Sequence, residues 1–369
     1  LDTYKKHSLA LVPLVISHIS SVIKESKLMK TDTPEDFILQ EESLQRSDIL
    51  NTMSTINKNK KTRNNLFKKL SKNLKIKDLC FSDLNYSKFN PVVSYEDSFN
   101  IITKTVSNLG MSYLEVIHTA YTENWIDAKY SDHKYNPRLD GYNYNPLITH
   151  PYVFINYENT FDNLLSLTHE LGHAVHQHVN TESNYYYNTN DSLVMTESFA
   201  FTNELLILLY YIKNAKTKKV DYLNFFIRYV IQNIYKKGAS TTLELELYKM
   251  IDEDSQISGD IISKKFKKIL SKFFGNNINV NSGDSWSIGG TILDNYYSYK
   301  YIVAFLNSLI FSYKIFNNDI EFISKYKHAL TVGDSESTPN VLLQLGIDLK
   351  DPDCHQEAFD IINTIITDF

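Results

Sequence analysis

Residues 151–178 read PYVFINYENTFDNLLSLTHELGHAVHQH, and the stretch changes its period halfway. The segment YVFINY (152–157) is rich in β-branched and aromatic residues and is bounded by Pro151 and Asn159. That composition predicts a strand. From 160 to 180 the apolar positions recur at helical spacing, which predicts a helix. His169 and His173 lie four residues apart on it. At about 100° per residue, both imidazoles leave one face, one turn apart. Glu170 points to the side of that face. This H-E-x-x-H pattern holds Zn²⁺ by its two histidines and sets a carboxylate beside the water that the metal activates. Gly172 lets another backbone come close. His176, three residues after His173, is read as a packing or supporting histidine, and His178 as an exposed one at the helix end.

A catalytic zinc site usually takes three protein ligands and leaves one position open. The next helix supplies a candidate. DSLVMTESFAFTNELLIL (191–208) opens with Asp191 or Ser192 as N-cap, and Glu197 follows His173 by 24 residues. A carboxylate among Val194, Met195, Phe199 and Ala200 is costly to bury without a partner, and one zinc ion would be that partner. Glu204 returns to the same face seven residues later. It reads either as a carboxylate behind a ligand histidine or as the partner of a lysine.

Outward from this core the chain of 369 residues, 43% apolar with a net charge of −5, is long enough for one large domain or two closely packed lobes. The mild acidity argues against nucleic acid as a partner. Cys80 and Cys354 are too few and too far apart for a disulfide framework, so a reducing, cytoplasmic setting is expected. No apolar run reaches membrane-spanning length, and a membrane partner is not expected. YKKHSLALVPLVISHISS (4–21) has the basic start and apolar middle of a weak signal peptide, but no A-x-A cleavage site follows; it is read as a helix start. The chain begins with Leu1 rather than Met.

Helical spacing covers 11–28, 35–58, 61–75, a capped pair from Ser94 and Asp97 to about 127, then 191–214, 221–236, 240–254, 260–273, 291–313 and 318–331. Residues 131–150, with Pro137, Gly141 and Pro146, read as loops, and GDSWSIGG (283–290) as a second break. A mainly α fold with a small β-sheet near its middle is expected.

Several blocks in order resemble the oligoendopeptidase F family of the thimet-oligopeptidase-like zinc metallopeptidases. ENWIDAKYSDHKYNPRLDGYNY (123–144) resembles the segment ending in the family's Gly-aromatic loop. Residues 150–177 resemble its strand, turn and active-site helix, TESFAFTNE (196–204) its third-ligand motif, and SWSIGGTILDNYYSYKYIVAF (285–305) its tyrosine-rich segment. Residues 23–44 and 333–359 fit as well.

The resemblance implies a zincin-like catalytic domain over 1–369, with helices lining a deep substrate channel: a helical wall (1–130), a strand and two ligand helices (131–215), and a helical part carrying the tyrosines (216–369). It also implies that the family's N-terminal helical lobe is not part of this chain. It makes Tyr299, then Tyr297, the candidates for oxyanion stabilisation. The histidine that usually precedes the family's tyrosines has no counterpart in Ser287–Thr291. The implied reaction is zinc-dependent endopeptidase cleavage of short peptides through a metal-activated water, with Glu170 as base and His169, His173 and Glu197 as ligands. The strand at Tyr152 offers an open edge for an extended peptide, and Gly141, Tyr142, Gly289 and Gly290 are expected as clamps. The alternative is a catalytically impaired zinc- and peptide-binding protein. Nothing in the residue pattern sets an oligomeric state.

Overall fold

The computed structural model describes residues 6–85, 89–129, 141–146, 148–189, 192–281, 283–287 and 290–368. Helices α1 (Ser8–Met29), α2 (Pro34–Leu39), α3 (Arg46–Lys58), α4 (Lys60–Leu74) and α5 (Phe81–Asn85) precede α6 (Tyr95–Thr105) and α7 (Met111–Thr122). Three short strands follow: β1 (Ile126–Asp127), β2 (Gly141–Tyr144) and β3 (Tyr152–Ile155). Helices return as α8 (Phe161–Ser183), α9 (Leu193–Asn214), α10 (Lys219–Val230), α11 (Lys237–Asp252), α12 (Gly259–Phe274), α13 (Tyr297–Phe316), α14 (Ile320–Ala329), α15 (Thr338–Gln344) and α16 (Gln356–Asp368). The chain is mainly helical with a small three-stranded sheet, as the residue pattern predicts.

Boundaries differ where local chemistry overrides periodicity. The run 35–58 is not one helix: Ser43 takes a left-handed φ of 55°, and a capping box of Gln45 and Asp48 starts α3 afresh. The separate helices expected at 221–236 and 240–254 join through a π-helical stretch, Ile231–Lys236. The expected loop 131–150 contains β2, and the C-terminal helices α15 and α16 escaped the sequence reading. By length and hydropathy α1 (over Leu9–Met29) and α9 are each able to cross a membrane, contrary to the expectation of no such run. The window in α9 is largely buried in protein, that in α1 only to about a third.

The described chain forms two compact units. Unit 1 combines Leu1–Tyr86, Asn224–Val303 and Leu349–Phe359; unit 2 combines Ser87–Leu223, Ala304–Asp348 and Asp360–Phe369. Both draw on distant stretches of the chain.

In unit 2, β3 is the central strand of the order β1-β3-β2. It runs parallel to β1 (Ile126 opposite Val153) and antiparallel to β2 (Gly141 opposite Ile155). The open edge expected at Tyr152 is therefore taken on both sides; among the described residues, β1 and β2 are the edge strands. Val153 and Ile155 are fully buried and alternate with the partly exposed Tyr152 and Phe154. Asn159, left-handed at φ 58°, turns the chain into α8. Thr160 caps that helix by accepting Asn163 N–H at 3.1 Å, and the Asn163 side chain accepts Glu158 N–H at 2.7 Å. Ser192 caps α9 by accepting Met195 N–H at 3.1 Å; Asp191, the other candidate, lies outside the described residues. Helices α8 and α9 pack through Gly172: a Cβ there would stand 2.8 Å from Ala200 Cα and 3.1 Å from Asn203 Nδ2.

Unit 1 buries carboxylates around a left-handed turn. Asn295 and Tyr296 have φ of 42° and 59°. The Tyr296 N–H donates to Glu244 Oε1 at 2.6 Å and its hydroxyl to Glu35 Oε1 at 3.1 Å. Lys300 pairs with Glu42 at 2.9 Å. Burial is the main force raising the Glu244 carboxyl to about 8, opposed by the Tyr296 N–H.

Two outcomes follow from this packing. Gly172→Ala should lower unfolding free energy by about 1–3 kcal/mol through overpacking, and an unchanged thermal midpoint would mean that the helices can separate at no cost. A carboxyl raised on folding contributes stability that is full below its unfolded value near 4.5 and fades as pH rises through about 8. Urea titrations at pH 5 and pH 8.5 should therefore show the wild type losing stability relative to Glu244→Gln at the higher pH; a pH-independent difference would contradict the burial of this acid.

Candidate metal centre

Two helices of unit 2 build one polar cluster. On α8, His169 and His173 face the same side, and their rings meet edge-on with centroids 4.7 Å apart. On α9, Glu197 and Glu204 sit two turns apart on one face, both buried. The Gly172 contact brings these faces together. His169 Nε2 lies 3.4 Å from Glu197 Oε2, His173 Nε2 lies 3.8 Å from Glu197 Oε1, and the two imidazole Nε2 atoms are 3.1 Å apart. Ligand atoms of all three residues fall within 4.8 Å of one another.

The donor set fits a zinc ion. Two imidazole nitrogens and one carboxylate oxygen are the usual three-ligand set, and a tetrahedron with bonds near 2.1 Å has edges of about 3.4 Å. Glu204 Oε1 accepts from His169 Nδ1 at 2.6 Å. That bond turns the His169 Nε2 lone pair towards the cluster, a carboxylate–histidine arrangement typical of metal sites. Of the two roles open to Glu204, the structure shows the histidine partner. Phe201 packs its ring on His169 at 5.3 Å. The residue pattern did not single it out, although it lies four after Glu197, on the same helical face.

The cluster is electrostatically strained. Burial alone would lower the His169 pKa, but hydrogen bonds to Glu197 and Glu204 win and hold it well above the usual value. His173 is pushed down to about 3, first by burial and then by the neighbouring His169 charge. Glu170, 9% exposed, is raised to about 7 by burial, with Glu197 and Glu204 adding to the shift and His169 opposing it. Three carboxylates converging on two imidazoles in a buried place form an environment that favours a cation.

The other candidate residues fall in several places. Gly141 on β2 lies against the base: a Cβ there would stand 3.2 Å from Glu170 Cγ and 3.6 Å from Oε1. Tyr142 alternates to the opposite face, where its ring stacks on Phe154 at 4.8 Å. Tyr152 points the same way, near Phe154 and His150. His176 is buried with its ring 4.6 Å from Phe199. His178, expected to be exposed, is half-buried beside Trp125 at 5.3 Å. The tyrosines belong to unit 1. Tyr299 is fully buried there, and burial, then the nearby Asp48, drives its hydroxyl pKa far up. Tyr297 is 36% exposed and donates to the Tyr301 hydroxyl at 2.7 Å. Gly290 starts a short 3₁₀ turn, Gly290–Leu293, and Gly289 lies outside the described residues.

Known proteins resemble this chain in sequence and in fold. The chain is 24% identical over 265 residues to oligopeptidase PepF of Bacillus subtilis (strain 168), covering 71% of this chain and 39% of that protein. It is 23% identical over 279 residues to group B oligopeptidase PepB of Streptococcus agalactiae serotype III (strain NEM316), covering 74% of this chain and 46% of that protein. It thus spans less than half the length of these two curated relatives. The crystal structure of oligoendopeptidase-F from Enterococcus faecium superposes with a TM-score of 0.74 at 15% identity, over 100% of this chain and 60% of that one. The pattern of Peptidase family M3 matches residues 76–361, well over half of the sequence and including every residue of the metal cluster. The chain belongs to peptidase family M3.

Proposed function

We propose that this chain is the catalytic part of a zinc-dependent oligopeptidase that hydrolyses short peptides. The observation that carries the reading is the convergence of His169, His173 and Glu197, with Glu204 behind His169 and Glu170 beside the cluster. Family membership and the oligopeptidase relatives point the same way.

His169, His173 and Glu197 would hold a zinc ion, which would supply Lewis acidity and a water acidic enough to act as nucleophile near neutral pH. Glu170 takes a proton from the attacking water and passes it to the leaving amine. Glu204 keeps His169 in one tautomer and orientation. An extended peptide lies along the free edge of β2 rather than of β3, so Gly141 is the strand's point of approach to the base. A tyrosine hydroxyl, contributing about 3 kcal/mol to an oxyanion, completes the reaction. Tyr299, then Tyr297, are the candidates that the family resemblance names for this role. A cytoplasmic setting goes with the free thiols of Cys80 and Cys354.

The second reading is a zinc- and peptide-binding protein without turnover. It is favoured by the burial of Tyr299 and by the stretch Ser287–Thr291, which carries no histidine. Quenched-fluorescence peptides separate the two: chelator-sensitive cleavage by the purified chain removes the second reading, and its absence removes the first.

Glu170→Gln should leave bound zinc at one ion per chain and lower kcat by about 10²–10⁴-fold; cleavage at the wild-type rate would exclude Glu170 as the base. Glu204→Ala should weaken zinc binding by about 10–100-fold in equilibrium dialysis. An unchanged affinity would reduce its bond to His169 to a packing contact.

A further inference from the structure

Residue 141 stands in a confined space. On one side is the Phe154 carbonyl oxygen of β3, 3.1 Å from where a Cβ would be; on the other is Glu170 Cγ, at 3.2 Å. The strand that carries Gly141 is held at both ends. The ladder pairs Gly141 with Ile155, itself fully buried, and Asn143 with Val153. Beyond the strand, the Asn145 side chain donates to Thr181 Oγ1 on α8 at 3.3 Å. Glu170 and Thr181 lie on one stripe of α8, eleven residues apart, so β2 runs along the helix with its glycine at the base. The backbone of β2 therefore cannot retreat without breaking pairs, and the Phe154 carbonyl is part of the same ladder. Glu170 is what yields to any added atom. It is a long side chain, and contact at its Cγ turns the whole carboxylate rather than its tip.

We infer that Gly141 is a positioning residue for the general base, beyond any contact that it makes with substrate. Its lack of a side chain leaves Glu170 the room to serve two partners in sequence, the attacking water and the leaving amine. The requirement is one of space and not of backbone conformation, because Gly141 does not have a left-handed φ. Alanine needs no change of backbone conformation at 141; its methyl would press on the Phe154 carbonyl at 3.1 Å and on Glu170 Cγ at 3.2 Å, and of the two the side chain gives more readily. The inference rests on the peptidase reading for its catalytic consequence, and on geometry alone for the placement of the carboxylate.

Two measurements test it. In the zinc-loaded chain, Gly141→Ala should lower kcat by about tenfold and Gly141→Val by about a hundredfold, the size of loss that small misplacements of reacting groups bring. KM and zinc content should stay within about twofold. In a Glu170→Gln background the same substitutions should cost nothing further, since no base remains to be displaced. A rise in KM that persists in that background would assign Gly141 to substrate binding and overturn the proposal. Crystal structures of the wild type and Gly141→Ala supply a readout independent of turnover. A carboxylate of Glu170 shifted from its wild-type position is expected, and an unmoved one overturns the proposal even if the wild type cleaves peptides. If the wild type cleaves nothing, the peptidase reading fails while the crystallographic comparison still decides the placement.

Discussion

Unit 2 depends on one close approach, the Gly172 backbone of α8 against Ala200 of α9. Packed helices are usually separated by about 8–10 Å between axes, with the distance set by side chains at the contact. A glycine at this point brings the helices close enough for a short carboxylate on one to meet imidazoles on the other. Glu197 then lies 3.4 Å from one histidine and 3.8 Å from the next, while Glu204, two turns on, takes the far nitrogen of His169 at 2.6 Å. A larger residue at position 172 would widen each of these separations together, because all are mounted on the same pair of rigid rods.

The proximity creates an electrostatic problem that a cation resolves. Glu170, Glu197 and Glu204 are all buried, and buried carboxylates are tolerated only when paired. Hydrogen bonds to Glu197 and Glu204 raise the His169 pKa against the effect of burial. His173 cannot help, since burial and the adjacent His169 charge keep it neutral. A neutral imidazole beside carboxylates is what a metal ligand must be. Burial raises Glu170 to about 7, with Glu197 and Glu204 adding to the shift and His169 opposing it.

The sheet of unit 2 and the packing within unit 1 follow other constraints. β3 is sandwiched between β1 and β2, which leaves β2, with Gly141 over Glu170, as an edge strand among the described residues. In unit 1 the turn before α13 holds two successive non-glycine residues in the left-handed region, a costly conformation that persists only when surroundings enforce it. Glu244 and Glu35 do so by grasping the Tyr296 backbone and hydroxyl. That turn decides which tyrosines are buried and which reach the surface. Tyr296 and Tyr299 go inward, whereas Tyr297 and Tyr301 share a hydroxyl contact further out.

Much of this was legible in the residues, for definite reasons. The four-residue spacing of His169 and His173 follows from helix geometry alone, so their shared face needed no partner to be foreseen. Glu197 was legible because a carboxylate in an apolar helix is costly to bury without a partner, and helical spacing put Glu204 on its face. The mainly helical class followed from periodicity along the chain. Strand β2 was hidden, because four residues with two tyrosines, an asparagine and a glycine show no alternation and become a strand only against β3. The central position of β3, the distance from Gly141 to Glu170 and the burial of Tyr299 were equally hidden. Each depends on which distant segments meet, and local pattern carries no record of that. The sequence by itself determined which groups could bind a metal; only the tertiary structure decided how near they stand and how much room Glu170 has, because those depend on through-space packing between elements far apart in the chain.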